Sequence, residues 1–269
     1  MKVKFSRICM YVFLSIAAFL SLFPLYWTAV SATNTTPDIL AASMTPGSEL
    51  IANFTRLLEL TSLGRAFWNS ARNAILLTAI SVTICSLAGY AFEVYHSKAK
   101  DRLMSVLLLS MMIPFAAIMI PLFRLMANIG LVNTTLGFML PTLSTAFLIM
   151  LFRQSSRSFP REMIEAARID GLNEILIFIR IYVPTMKSTY AAATTITFMA
   201  AWNVFMWPRI IMMSPDSVTM PMLISNLMAG YVTEFGVVML AVLIATLPTI
   251  LLFLFLQRYF AEGIMGTVK

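Results

Sequence analysis

Seven consecutive residues, Glu165-Ala166-Ala167-Arg168-Ile169-Asp170-Gly171, carry charges of both signs between strongly apolar stretches, and Ile181 and Pro184 follow them. The chemistry open to this set is recognition rather than bond-making. Glu165 can present a carboxylate to a partner, and Ala166 and Ala167 are small enough for another surface to approach closely. Asp170 can cap or brace a turn, and Gly171 readily adopts the conformation that ends a helix. The alternative is a solvated loop with an internal pair between Glu165 and Arg168. Elsewhere the chain lacks a nucleophile–base constellation and a GxxxxGK[ST] phosphate loop. Its one histidine, His96, sits in a charged loop and reads as solvated. Cys9 and Cys85 fall in apolar runs with no CxxC or Cys/His pattern, so neither a metal site nor a disulfide framework is expected.

A second polar group lies inside an apolar segment: Thr194, Thr195, Thr197 and Asn203, with Trp202 and Trp207 nearby. Polar groups within a span are costly unless they face a cavity or a partner. Aromatic rings beside hydrogen-bonding groups suit a sugar, and Thr194, Thr197, Trp202 and Asn203 are candidates to line a solute path. Helix–helix packing and interfacial tryptophans are the competing explanation. Arg209 reads as an interfacial charge.

Apolar residues fill 59% of the 269 positions and charged residues 12%, against roughly half and a quarter in soluble domains. Lipid as the solvent for most of the chain accounts for the excess. The fold class expected is all-α, a polytopic membrane protein with six transmembrane helices: Ile8–Val30, Asn73–Phe92, Leu103–Phe123, Leu136–Phe152, Thr189–Trp207 and Gly236–Leu256. The first is too long for the ~7–15 residue core of a cleaved signal and is expected to be a retained anchor. Pro24, Pro114, Pro121, Pro141 and Pro248 are expected within spans as kinks.

Orientation follows from the basic residues. With the N-terminus in the cytoplasm, all of the 19 lysines and arginines except Arg56, Arg65, Arg72, Arg124 and Arg209 fall inside. This bias places both termini in the cytoplasm. It also explains the net charge of +7 without nucleic acid, since no stacking aromatic pattern accompanies the basic residues. The charged island then lies in an inner loop over residues 153–188. Pro160 fits the first turn of a helix running to Asp170, Asn173 can cap a second helix, and Leu172, Ile175, Ile179 and Tyr182 recur at helical spacing. The outer segment after the first span holds a possible short helix near Phe54 to Leu60.

The pattern Glu165-Ala166-Ala167-x-x-Asp170-Gly171, nine residues, then Ile181-x-x-Pro184 resembles the EAA loop of ABC importer permeases, in spacing and in its place before the penultimate span. Phe152-Arg153-Gln154, the run Ala201-Trp202-Asn203-x-Phe205-x-Trp207-Pro208, and Gln257-Arg258-Tyr259-Phe260-x-x-Gly263 resemble the carbohydrate-uptake branch, the maltose and glycerol-phosphate permease type. The similarity covers about residues 66–269.

The resemblance implies a type I ABC importer permease fold with three parts: a transmembrane anchor and outer loop (1–65), a transmembrane domain (66–258) and a cytoplasmic tail (259–269). It implies that Glu165, Ala166, Ala167, Asp170, Gly171, Ile181 and Pro184 couple the pore to an ATPase, and that Gly266, Thr267, Val268 and Lys269 can reach between ATPase subunits. The implied partners are a second permease subunit, two ATPase subunits, an extracytoplasmic solute-binding protein and membrane lipid. This chain is expected to bind no cofactor and to catalyse nothing, ATP and Mg residing on the ATPase. The expected cargo is a sugar or oligosaccharide, with glycerol phosphate or another small solute as the alternative. An ion-driven carrier would call for buried carboxylates at midplane, which the spans do not offer.

Overall fold

A computed structural model describes residues 2–230 and 232–266. In chain order they form α1 (Lys2–Ser31), α2 (Thr36–Leu40), α3 (Leu50–Leu60), α4 (Leu63–Val94), α5 (Lys98–Ser110), α6 (Phe115–Asn128), α7 (Thr135–Met139) and α8 (Ala146–Ser156). There follow α9 (Arg161–Ile169), α10 (Glu174–Ile177), α11 (Val183–Thr185), α12 (Lys187–Asn203), α13 (Met206–Ile211), α14 (Met220–Met228) and α15 (Phe235–Gly266). The described residues contain no strand.

The six apolar segments take three forms. Helices α1, α4 and α15 are continuous and long and apolar enough to cross a membrane. The third and fourth expected spans are bent pairs: α5 with α6 at 98°, and α7 with α8 at 54°. The cause of the first bend is Pro114, which disfavours helical geometry at the residue before it and caps α6 from an extended conformation (φ −60°, ψ 130°). At the second, Pro141 sits in a 3₁₀ turn, Leu140–Thr142. The helix then restarts where Thr145 accepts a hydrogen bond from the Leu148 amide. Thus Pro114 and Pro141 mark breaks rather than kinks within spans, whereas Pro24, Pro121 and Pro248 do lie inside helices. The fifth segment, α12, has 17 residues, about 25 Å at 1.5 Å per residue, short of the ~30 Å hydrocarbon core. It stops where Val204 turns extended.

Two compact units emerge. One comprises Met1–Phe67 and Met220–Leu247, the other Trp68–Thr219 and Pro248–Lys269. In the first, the segment after α1 is pinned by amides. Buried Asn34 donates to the Val30 and Thr45 carbonyls (3.2 and 3.0 Å), and Asn53 of α3 donates to those of Ala32 and Asn34 (3.0 and 3.1 Å). Gly236 lies so close that a Cβ there would fall 2.5 Å from the Asn34 carbonyl oxygen. A capping box of Thr35 and Asp38 starts α2. The helix expected near Phe54–Leu60 is therefore real and begins earlier, at Leu50.

In the second unit α8 is central. Its Leu148, Ile149 and Phe152 bury against Val82 and Cys85 of α4, Met104 of α5 and Ala193 of α12. Contact of α8 with α4 depends on Gly89, where a Cβ would stand 2.5 Å from that of Phe152 and 2.8 Å from the Arg153 amide. The far end of α4 is held by Asn69, which donates to the carbonyls of Asp216 and Val218 (2.8 and 3.0 Å).

Candidate functional site

The charged island folds as an elbow. Pro160, expected in the first turn, stands one position before it, as the cap of α9 (φ −65°). Glu162 in the first turn complements the helix dipole. The stop is a Schellman motif. Gly171 is left-handed (φ +79°), its amide bonds to the Arg168 carbonyl at 3.1 Å, and the Leu172 amide bonds to that of Ala167 at 3.0 Å. Asn173 caps α10 by accepting from the Leu176 amide at 2.9 Å.

The next turn is wider than an α-helix. Phe178–Tyr182 is π-helical, and the Val183 amide returns to the Phe178 carbonyl five residues back. Pro184, with no N–H to give, follows this wide turn in α11. Ile177, Phe178 and Tyr182 are buried, whereas Ile175 and Ile179, expected on the inner face, are 71% and 55% exposed.

The elbow rests on an aromatic base. Ile164 and Ala167 on the underside of α9 pack with Tyr90 of α4, Phe159, Ile177, Phe178 and Tyr182. The Tyr90 and Tyr182 rings lie 4.8 Å apart, and the Tyr182 and Ser156 hydroxyls are hydrogen-bonded at 2.6 Å. The upper face presents Glu165, Ala166, Arg168, Ile169 and Asp170, with Ile169 86% exposed. The residues marked for coupling therefore divide. Glu165, Ala166, Asp170, Gly171 and Pro184 are exposed, Ile181 is half-buried against the base, and Ala167 faces inward rather than toward a partner. The reason is helical spacing: Ala167 shares the face of Ile164, three residues before it.

Arg168 pairs with Glu174 across the turn (Nε to Oε1, 2.7 Å), not with Glu165. Its guanidinium also sits 5.9 Å from the centre of the Tyr95 ring. Arg168 beside it, with help from Tyr95, holds the Glu174 carboxyl below the ordinary glutamate range. Burial, then Glu174, pushes the Tyr95 phenol up. His96, read as solvated, is exposed and lies 3.0 Å from an Asp101 carboxylate oxygen. Asp101 also takes a hydrogen bond from buried Arg153, and Arg153 in turn approaches Glu93.

The polar residues of α12 do not form one site. Thr197 borders a cavity of about 650 Å³ shared with Phe115, Phe138, Thr145 and Trp207. Thr194 borders a different groove, of about 460 Å³, with Ile75, Phe198 and Pro248. Trp202 is buried and stacked on Phe198 (centroids 5.8 Å). Asn203 is exposed and donates to the Met199 carbonyl at 2.9 Å. Of the cavity's ring walls, Trp207 was marked from the sequence, whereas Phe115 and Phe138 were not. Phe115 meets Trp207 edge to face at 6.0 Å, and the Trp207 indole donates to the Gly137 carbonyl at 3.0 Å. The available signal was proline: Phe115 directly follows the helix-breaking Pro114. Of the tail residues, Gly266 ends α15, and Thr267, Val268 and Lys269 lie outside the described residues.

Residues 81–266 match the family model described as "Binding-protein-dependent transport system inner membrane component". Over 262 residues the chain is 46% identical to the lactose transport system permease protein LacG of Rhizobium radiobacter, covering 97% of this chain and 96% of the relative. It is 30% identical to the arabinooligosaccharides transport system permease protein AraQ of Bacillus subtilis, covering 98% and 96%. It is also 30% identical to the sn-glycerol-3-phosphate transport system permease protein UgpE of Pectobacterium atrosepticum, covering 92% of each. The fold matches a chain in the crystal structure of a bacterial ABC transporter involved in the import of the acidic polysaccharide alginate. That match has a TM-score of 0.76 at 22% identity, over 96% of this chain and 97% of the other.

Proposed function

The chain belongs to the binding-protein-dependent transport system inner membrane component family, and on that footing we propose that it is the permease subunit of an ATP-driven importer moving a sugar or oligosaccharide inward. The observation that carries the reading is the elbow. It has an apolar underside fixed to the membrane domain and an upper face offering Glu165, Ala166, Ile169 and Asp170. A surface of that kind accepts a partner's push and passes it to the helices beneath. The relatives named for lactose and arabino-oligosaccharides support a sugar cargo.

In this proposal residues 153–188 and both termini are cytoplasmic, the transmembrane domain begins near residue 66, and residues 259–269 form the tail. The chain works with a second permease, two ATPase subunits that hold ATP and Mg, and an external binding protein. Glu165 meets the ATPase, Gly171 and Pro184 fix the elbow's shape, and Thr197 and Trp207 border the solute's route.

The test is reconstitution of the complete transporter in liposomes. Each candidate sugar is scored by its stimulation of ATP hydrolysis and by its uptake. With Glu165→Lys the complex should assemble while uptake per ATP falls about tenfold or more. Uptake at the unaltered ratio would remove Glu165 from the mechanism.

A further inference from the structure

Glu93, on the last turn of α4, meets three guanidinium groups. Arg153 Nε and Arg157 Nε lie 3.6 Å from one carboxylate oxygen, and Arg161 Nη2 lies 3.4 Å from the other. The three arginines recur every four residues, which carries them from the end of α8, around the turn, to the first residue of α9. The Glu93 side chain is 12% exposed and that of Arg153 8%, whereas those of Arg157 and Arg161 are 55% and 65% exposed, so the node is shielded from solvent and salt at its carboxylate and open at its outer arginines. Arg153 has a second anion in Asp101, which leaves Glu93 to serve Arg157 and Arg161.

We propose that Glu93 is a positioning residue that ties the first turn of α9 to the end of α4, so that displacement of the elbow displaces α4. The inference rests on the coupling role proposed above. The elbow is also held by the apolar contact of Ile164 and Ala167, by Arg168 over the Tyr95 ring and, beyond the turn, by the Tyr182–Ser156 hydrogen bond. Apolar contact is non-directional and constrains position along the helix axis less sharply than an ion pair. A carboxylate bound to Arg161 does fix that position, at the end of α9 where the chain enters. From Glu93, α4 runs without a break to Asn69, which grips the carbonyls of Asp216 and Val218. By helical rise these two anchor points are about 36 Å apart. A shift imposed at the elbow therefore reaches the 216–218 segment through one rigid rod.

The experiment uses the assembled transporter in liposomes and measures sugar moved per ATP hydrolysed. Ala166→Cys cross-linking to the ATPase, in an otherwise unaltered chain, runs alongside. Glu93→Gln keeps the size of the side chain and leaves Arg153 paired with Asp101. It should lower the ratio about tenfold, and Glu93→Asp should recover most of it. Arg161→Gln should cause a similar loss, and the double variant should lose no more than either single one, as expected of two ends of one contact. If the cross-link forms and the ratio stays normal in Glu93→Gln, the inference fails while the coupling reading stands. If no cross-link forms, the coupling reading fails and takes the inference with it. If Glu93→Gln does not assemble, Arg161→Gln decides alone, and a normal ratio there overturns the proposal.

Discussion

Ala166 and Ala167 are adjacent and chemically identical, yet the fold gives them opposite tasks. Ala167 is 4% exposed over the aromatic base, and Ala166 is open to solvent. Ala167→Leu should cost about 1–3 kcal/mol of stability by overpacking, read as a lower melting temperature in detergent. Ala166→Leu should leave melting within about 0.5 kcal/mol and instead weaken ATPase binding in a pull-down of the assembled complex. Equal melting of the two variants would contradict the burial assigned to them. A pH test applies to the Arg168–Glu174 pair. The Glu174 carboxyl titrates below its unfolded value when folded, so its contribution is full above the ordinary glutamate pKa of about 4.3 and vanishes as pH falls through the folded value. The pair is roughly 40% exposed on both sides and contributes about 0.5 kcal/mol. The melting difference between the unaltered chain and Glu174→Gln should therefore persist from neutrality down to the ordinary glutamate pKa of about 4.3 and shrink as pH falls further. A gap that widens on acidification would refute the pairing.

At the level of elements, the cap and turn signals of Pro160, Asn173 and Gly171 read well to within a residue, and hydrophobic periodicity read poorly. Pro160, Asn173 and Gly171 act locally, through cap and turn geometry, so their roles lie within a few residues of sequence. The inward face of residues 172–182 was illegible because several apolar residues compete for it and spacing alone does not choose among them: Ile175 already faces out in α10 while Ile177 is buried. The π turn carries the buried set from Ile177 to Tyr182, five residues on. The pairing of Arg168 with Glu174 instead of Glu165 was hidden for a related reason: it depends on how the chain doubles back at Gly171. The bent pairs escaped a hydropathy scan, which sums apolarity without direction. The close passage of α4 and α8 is also a property of two elements. Gly89→Leu should separate them and release Phe152 and Ile149 from the core, lowering melting by the equivalent of about 1–3 kcal/mol or more. A variant that melts like the parent would mean the helices are not in contact there.

For the whole molecule, three continuous helices and two bent pairs are long and apolar enough to cross a bilayer, and in the orientation proposed above they follow the lysine and arginine bias. Single cysteines at Glu165 and at Thr55 of α3 should react with an impermeant maleimide from opposite faces, the first only in inverted vesicles and the second only in intact spheroplasts. Labelling of both from one side would contradict their placement on opposite faces, and exchange of the two patterns would reverse the topology. The elbow has one more consequence. In the cytoplasmic placement proposed above, Ile169 at 86% exposure, together with Ile175 and Ile179, leaves an oily crest facing water. Such a crest is harmless only under a cover. A copy made without its companions carries a degradation flag on its most prominent ridge, so its half-life in a pulse-chase should shorten when the companion gene is silenced. Cellular abundance of the pore would then be metered by supply of the cover rather than by its own synthesis.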